Sequence, residues 1–422
     1  MRHAVPVFCL FVLTAATAHA ESWADRAETR TIRYNGDERL APTVLIDEVE
    51  VEPLGQLSLL NRRIELHPKL LLGGGYASNP LGITDGGGSA ALHYGGGLDI
   101  FSALTPTTLL QITDECRWVR FPAESGANLA LYQVLGDVIH RAPGGRYRAG
   151  VMVEGLDGAL ADTGERSRRR ISDGHADGTM RWRELSVQGM LRAERTFYVN
   201  DGLDFLAANR QHRIVEAGTG VGWQFGTRAQ VRVGVHADAT TYDNNLEFNN
   251  SHGGWVTVGG TLGLSTRTWI EADLGPAVRR YDDVFQGNAA YDDQRVTWLQ
   301  CAAKLKWEWV ADSQLSLVVD NGIEDAINAN AYHALGVELS CDWAPVNSWE
   351  FLVRGRIDHS RNSGAPLGQE VDTRTFTAGG FDITYRLQRG VSFRWRNVDG
   401  SSVGTGSTFY QLESSVDMIV AF

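Results

Sequence analysis

From about residue 63 onward, apolar and polar residues alternate with a period of two over runs of about ten residues. Successive side chains of a strand point to opposite faces, so each run predicts a strand with one apolar and one polar face. In 215 to 225, Val215, Ala217, Thr219, Val221, Trp223 and Phe225 oppose Glu216, Gly218, Gly220, Gly222 and Gln224. In 230 to 239, Val231, Val233 and Val235 oppose Arg232, Gly234 and His236. In 299 to 309, Leu299, Cys301, Leu305, Trp307 and Trp309 oppose Gln300, Lys304, Lys306 and Glu308. In 349 to 358, Trp349, Phe351, Val353 and Ile357 oppose Glu350, Arg354, Arg356 and Asp358. The C-terminal run sets Tyr410, Leu412, Val416, Met418, Val420 and Phe422 against Gln411, Glu413, Ser415, Asp417 and Ile419.

Tight turns are expected at Gly226-Thr227, Ser265-Thr266, Ala311-Asp312-Ser313, Pro345-Val346-Asn347 and Gln388-Arg389-Gly390, recurring about every 40 residues. Two long strands, one short turn and one longer loop fill such a period, which is the layout of a transmembrane β-barrel. A β-propeller has a similar period but needs four short strands in each blade, where this chain offers two long ones. Charges on alternate positions of so many strands require one wet face, and the opposite apolar face needs a cover. No helices are available, which leaves lipid.

Strands in the first half are expected near 63 to 75, 89 to 102, 108 to 120, 128 to 139, 146 to 156 and 180 to 193, with short turns at 105 to 107 and 142 to 145. Long loops are expected near 76 to 88, 157 to 178, 243 to 252, 282 to 294, 361 to 373 and 400 to 408. The strands counted this way number seventeen. A barrel with both ends in the periplasm needs an even number, so the expectation is 16 to 18, with 194 to 210 the ambiguous stretch. Pro276, inside a strand-like run, suggests a bulge or a strand end.

Residues 1–20 carry Arg2, an apolar run and the sequence Ala18-His19-Ala20, the pattern of a secretory signal peptide. That run is shorter than the roughly 20 residues of a membrane-spanning helix. Residues 21–62 are expected to be a periplasmic extension and 63–422 the barrel. A formal net charge of −12 disfavours nucleic acid as a partner. Cys116, Cys301 and Cys341 are too widely spaced for a zinc site or a disulfide framework.

The glycine triplets at 73 to 75, 86 to 88 and 95 to 97 lack the strand-to-helix context of a nucleotide loop, and read as strand glycines that bend the sheet or leave room in the lumen. His359 and Ser360 in "DHSRNSG" are adjacent and point to opposite faces of a strand, so a rim hydrolase would have to pair His359 with Ser363. The oxygen-rich 242 to 250 and 281 to 294 lack the D-x-D-x-D-G spacing of a calcium loop. The most informative residues are Glu350, Arg354, Arg356, Asp382, Arg386, Arg394, Arg396, Glu413 and Asp417, all on the polar face. Basic and acidic rows facing each other across a constriction would orient polar solutes, whereas a salt-bridge network would brace the wall. Neither reading calls for a cofactor.

The segment "ELHPKLLLGGGYASNP" (Glu65 to Pro80), the Tyr-Asp pairs at loop bases and the terminal Phe422 resemble Gram-negative outer-membrane barrels, in particular the putative β-barrel porin 2 family found with exopolysaccharide export systems. The resemblance implies a passive channel, or the outer-membrane component of a polysaccharide export route. The rival is a surface structural or adhesive barrel with a closed lumen. It further implies an assembly signal at Phe422, Val420, Met418 and Tyr410 for the barrel assembly machinery. Contacts with lipid and lipopolysaccharide, and with periplasmic export components, are implied as well.

Overall fold

The computed structural model describes residues 57–59, 64–79, 87–159, 166–199, 211–243, 250–282, 295–310, 313–325, 331–346, 348–362, 373–388, 390–404 and 409–421. A short strand β1 (Leu57–Leu59) precedes β2 (Ile64–Ala77), β3 (Ser89–Thr105), β4 (Thr108–Arg120), β5 (Leu129–Ala142), β6 (Gly145–Ala159) and β7 (Arg166–Trp182). Then follow β8 (Leu185–Val199), β9 (His212–Phe225), β10 (Ala229–Tyr242), β11 (Ser251–Gly263), β12 (Thr268–Tyr281) and β13 (Arg295–Val310). The chain ends with β14 (Ser313–Asp325), β15 (Ala331–Val346), β16 (Trp349–Asn362), β17 (Thr373–Gln388), β18 (Val391–Gly404) and β19 (Phe409–Ala421).

Each strand from β2 to β19 pairs antiparallel with the next, and β19 pairs with β2, Ala421 opposite Lys69 and Glu413 opposite Ala77. The result is a closed 18-stranded antiparallel barrel with no sheet edge along its body, which removes the unpaired backbone groups that lipid cannot satisfy. Strand β1 pairs with Ile64–Leu66 of β2, beyond the end of β19 on the same side, because the other side of those residues is taken by Ile100–Ser102 of β3.

Amphipathic alternation sets the two surfaces. Val215, Val221, Trp223, Val231, Val233, Val235, Leu299, Val353 and Ile357 are exposed on the outside, while Glu216, Arg232, Asp238, Asp358 and Arg356 are buried on the inside. Near the short turns the outside carries aromatic rings: Trp182, Trp223, Phe225, Trp307, Trp343, Trp349 and Phe393. Trp349 lies 4.7 Å from the Tyr385 ring, and Trp343 5.2 Å from Phe351. Ring belts of this kind mark the lipid–water interface. From Trp349 to Ile357 the strand climbs about 20 Å once tilt is included, close to the apolar band of an outer membrane. A polar residue on this face, Asn321, hides its amide in the ladder, accepting from the Cys301 N–H at 2.7 Å and donating to the Leu299 carbonyl at 2.6 Å. A closed barrel with an apolar exterior, short turns at one end, and the start of β2 and the end of β19 at that same end is an outer-membrane β-barrel.

Strand β7 corrects the sequence reading. Residues 166–182 form a strand where a loop over 157 to 178 was expected, and β8 begins only at Leu185. Residues 194–199 complete β8 rather than adding a strand; 200–210 lie outside the described residues. The physical cause is the outward row of β7, Ser172, Gly174, Ala176 and Gly178, which is too small to give an apolar signal. Pro276 neither ends nor bulges its strand. It stays paired with Leu299 of β13, and the ladder to β11 merely skips from Trp255–Ala277 to Val258–Leu274 with unchanged register. Proline has no N–H to donate, so one side of the ladder opens. The expected signal peptide and most of the extension, with the loops at 80–86, 283–294 and 363–372, lie outside the described residues.

Candidate functional site: the inner wall

The inner faces of the strands carry charged side chains that pair with one another along the wall. Arg148 Nε and Nη2 donate to the two oxygens of Asp137 at 3.0 and 2.8 Å, and His175 stands between Asp137 (2.9 Å) and Asp173 (3.2 Å). Asp173 also accepts from Arg192, whose Nη2 reaches Glu194 at 2.7 Å. Arg232 donates through Nε to Asp273 at 2.8 Å and through Nη1 to Glu271 at 2.7 Å. Arg279 pairs with Asp238, and Lys69 Nζ lies 2.5 Å from Asp99. Pairing of this kind is what lets ionised groups leave water, since an isolated buried charge is far costlier.

Many of these partners sit on strands that are not neighbours. In five places a glycine on the intervening strand faces the lumen at the level of the pair, and the flanking side chains meet over it. Gly73 lies between His93 and Asp417, Gly150 between Asp137 and His175, Gly259 between Arg232 and Asp273, Gly253 between Asp238 and Arg279. Gly336 likewise separates Asp320 from Asp358, and Arg356 reaches across it to Asp320 at 3.2 Å. A methyl group on Gly73 would fall 2.1 Å from Asp417 Oδ1, and one on Gly150 2.0 Å from Asp137 Oδ1. The absent side chain is therefore the space in which the pair lies. This gives part of the glycine-rich pattern a concrete role in the lumen.

All nine residues singled out in the sequence occupy inward positions. Asp382 receives both Nε and Nη2 of Arg396, at 2.8 and 2.9 Å. Arg356 gathers Asp358 at 2.9 Å, Asp320 at 3.2 Å and Glu338 at 3.5 Å. Arg394 lies 3.5 Å from Asp417, which bonds His93 Nδ1 at 3.0 Å. Glu413 is 1% exposed with no hydrogen bond to either carboxylate oxygen, its nearest cation-capable neighbour being His93 Nε2 at 3.7 Å. Glu350 and Arg386 pair at 3.0 Å with both side chains partly in solvent. Basic and acidic residues are thus interleaved along this wall and pair with one another. Only Glu350, Arg354 and Arg386 keep substantial access to solvent.

The networks on β5–β8 and β10–β12 went unnoticed in the sequence. Their signal was the repeat itself: Arg232 and Asp273 are 41 residues apart, as are Asp238 and Arg279, one hairpin period. Of the proposed assembly residues, Tyr410 points outward and exposed, Met418 and Val420 lie on the same face, and Phe422 is outside the described residues. His359 stands on the outer face with its Nδ1 3.0 Å from Thr375 Oγ1, and Ser363 is outside the described residues. Among the described residues no group of three His, Cys, Asp or Glu side chains is placed to hold a metal ion.

No protein-family model and no curated protein matches the sequence. Solved structures match at low identity and with TM-scores under 0.5. The chain is similar to OccK2 (OpdF) of Pseudomonas aeruginosa, crystallised with glucuronate, at 12% identity and TM-score 0.48 over 86% of this chain and 100% of that one. It is similar to the copper transporter OprC at 12% and 0.49, covering 85% and 81%. The siderophore receptor PirA of Pseudomonas aeruginosa matches at 8% and 0.45, covering 85% and 80%.

Proposed function

We propose that the protein is a passive outer-membrane channel for small polar solutes. The observation that carries this is the size and lining of the barrel: eighteen strands closed around a wall of charged side chains, a size at which a barrel leaves an aqueous lumen unless something fills it. Solvent-accessible charges, Glu350, Arg354 and Arg386, are the residues through which the lumen would act on a passing ion. Purified protein in planar bilayers tests this. Steady conductance is expected, with Arg386→Glu moving selectivity toward cations; silence under all voltages and salts refutes the channel.

One observation favours a second reading. Arg394, Glu413 and Asp417 are at most 2% exposed, which suits a sector of lumen closed to water and hence a structural or adhesive barrel. A place in an exopolysaccharide export route, and membership of the putative β-barrel porin 2 family, rest on the sequence resemblance carried by Glu65–Pro80, the Tyr-Asp pairs and Phe422. The proposed partners are lipid, lipopolysaccharide and the barrel assembly machinery. Export components belong only to the export reading.

A further inference from the structure

On the outside of β6–β9 the barrel loses side-chain bulk. Outward positions there are Ala149, Ala176, Gly178, Gly189 and Thr219, side by side in register, and a groove of about 740 Å³ opens over them. One wall is Tyr147, whose ring lies against Gly178 and stacks on His140 at 6.5 Å between centroids; the other is Met180, Trp182 and Leu191. The groove belongs to the periplasmic half, because its lining strands run into the short turns 142–145 and 182–185. Elsewhere an outward glycine is covered by a neighbouring outward ring, as Gly155 is by Tyr132. Gly189 is left bare: a methyl group added there would meet nothing nearer than 3.9 Å.

A second observation concerns the mouth of this groove. Arg183, at the tip of the turn between β7 and β8, has φ of 53°, the one described non-glycine residue with positive φ. Glycine or asparagine would adopt that backbone with less strain, so an arginine there points to a use for its side chain. No described residue pairs with the guanidinium of Arg183, which is exposed; Arg141 and Arg181 at the neighbouring strand ends stand opposite Arg146 and Ser186 on the lumen-facing rows and take no part in the outer rim. Arg183 therefore offers one exposed cation at the level where Trp182 and Tyr147 mark the interface.

We propose that the groove binds one phospholipid of the periplasmic leaflet, an acyl chain lying along Gly178 and Gly189 and the phosphate at Arg183. Apolar surface below and a guanidinium at the headgroup level, Arg183, match the two halves of a phospholipid's chemistry. A second copy of the chain docking by the same patch would bring Arg183 toward its own counterpart with no phosphate between them, which is the weaker match.

Native mass spectrometry of the full chain, refolded in detergent and titrated with phosphatidylglycerol, tests the assignment. One lipid is expected to be retained above background. Gly189→Leu, which fills the groove without meeting backbone, should weaken retention about tenfold. Arg183→Glu should do the same and Arg183→Lys should restore it. Ala176→Leu serves as a second groove-filling variant should Gly189→Leu fail to give the heat-modifiable gel band of a folded barrel. Undiminished lipid retention in both groove-filling variants overturns the proposal. So does a dimer or trimer that Gly189→Leu dissociates, which would give the groove to a second copy.

Discussion

Gly259→Ala is the sharpest perturbation of the inner wall. The added methyl would stand 2.1 Å from Asp273 Oδ1 and 2.2 Å from the Ala272 carbonyl oxygen. The carbonyl is part of the strand and moves little, so the carboxylate must give way and lift from Arg232, to which it is joined at Nε and Nη2. Arg232 keeps Glu271 at 2.7 Å, so the pair is loosened rather than lost. A charge-assisted hydrogen bond contributes about 1.5–3 kcal/mol and overpacking costs about 1–3 kcal/mol, giving an expected loss of about 3–5 kcal/mol. The natural control is Gly355→Ala, on the outer face, where an added methyl meets nothing within 4 Å; its effect should stay within about 0.5 kcal/mol. Urea unfolding in lipid vesicles, followed by tryptophan fluorescence and gel mobility, measures both. In an Asp273→Ala background the Gly259→Ala cost should fall by about 1 kcal/mol or more, since only the carbonyl contact remains. Equal stability of Gly259→Ala and Gly355→Ala would refute the reasoning.

Arg356→Met should cost about 3–5 kcal/mol in the same assay, because it leaves Asp320, Glu338 and Asp358 facing one another; adding Asp320→Asn and Asp358→Asn should recover most of the loss. Cys301 and Cys341 stand on the lipid side, paired in register with Leu274 and Leu315, so a water-soluble maleimide should leave both unmodified in vesicles and label both after unfolding. Rapid labelling of folded protein would invert the assigned faces. If the channel reading holds, Arg354→Glu should shift ion selectivity with little change in unfolding midpoint, whereas Arg396→Glu should lower the midpoint, because it confronts Asp382 with a second carboxylate.

Where the outward row held Val, Leu or Trp, the strand and its faces were legible in the sequence: β9, β10, β13 and β16 alternate as their residues demand. Strand β7 was opaque because Ser172, Gly174, Ala176 and Gly178 present almost nothing to lipid, and the small residues that silence its pattern also open the outer groove. Arg354 and Arg396 were legible as inward but not in their environments. Exposure depends on what crosses the lumen, which period-two reading does not contain. Ion partners depend on register between strands two apart, and a shift of one residue would exchange the faces.

The seam shows what that dependence achieves. The ladder between β19 and β2 runs only over Lys69–Ala77, and His93 of β3 reaches Asp417 of β19 across Gly73. Neither partner has the other until first and last strands meet, and a slip by one position would send Asp417 to the lipid side, away from the histidine. The clasp therefore rewards a single alignment of chain beginning with chain end, so closure of the ring is proofread by side chains that belong to neither edge of β2.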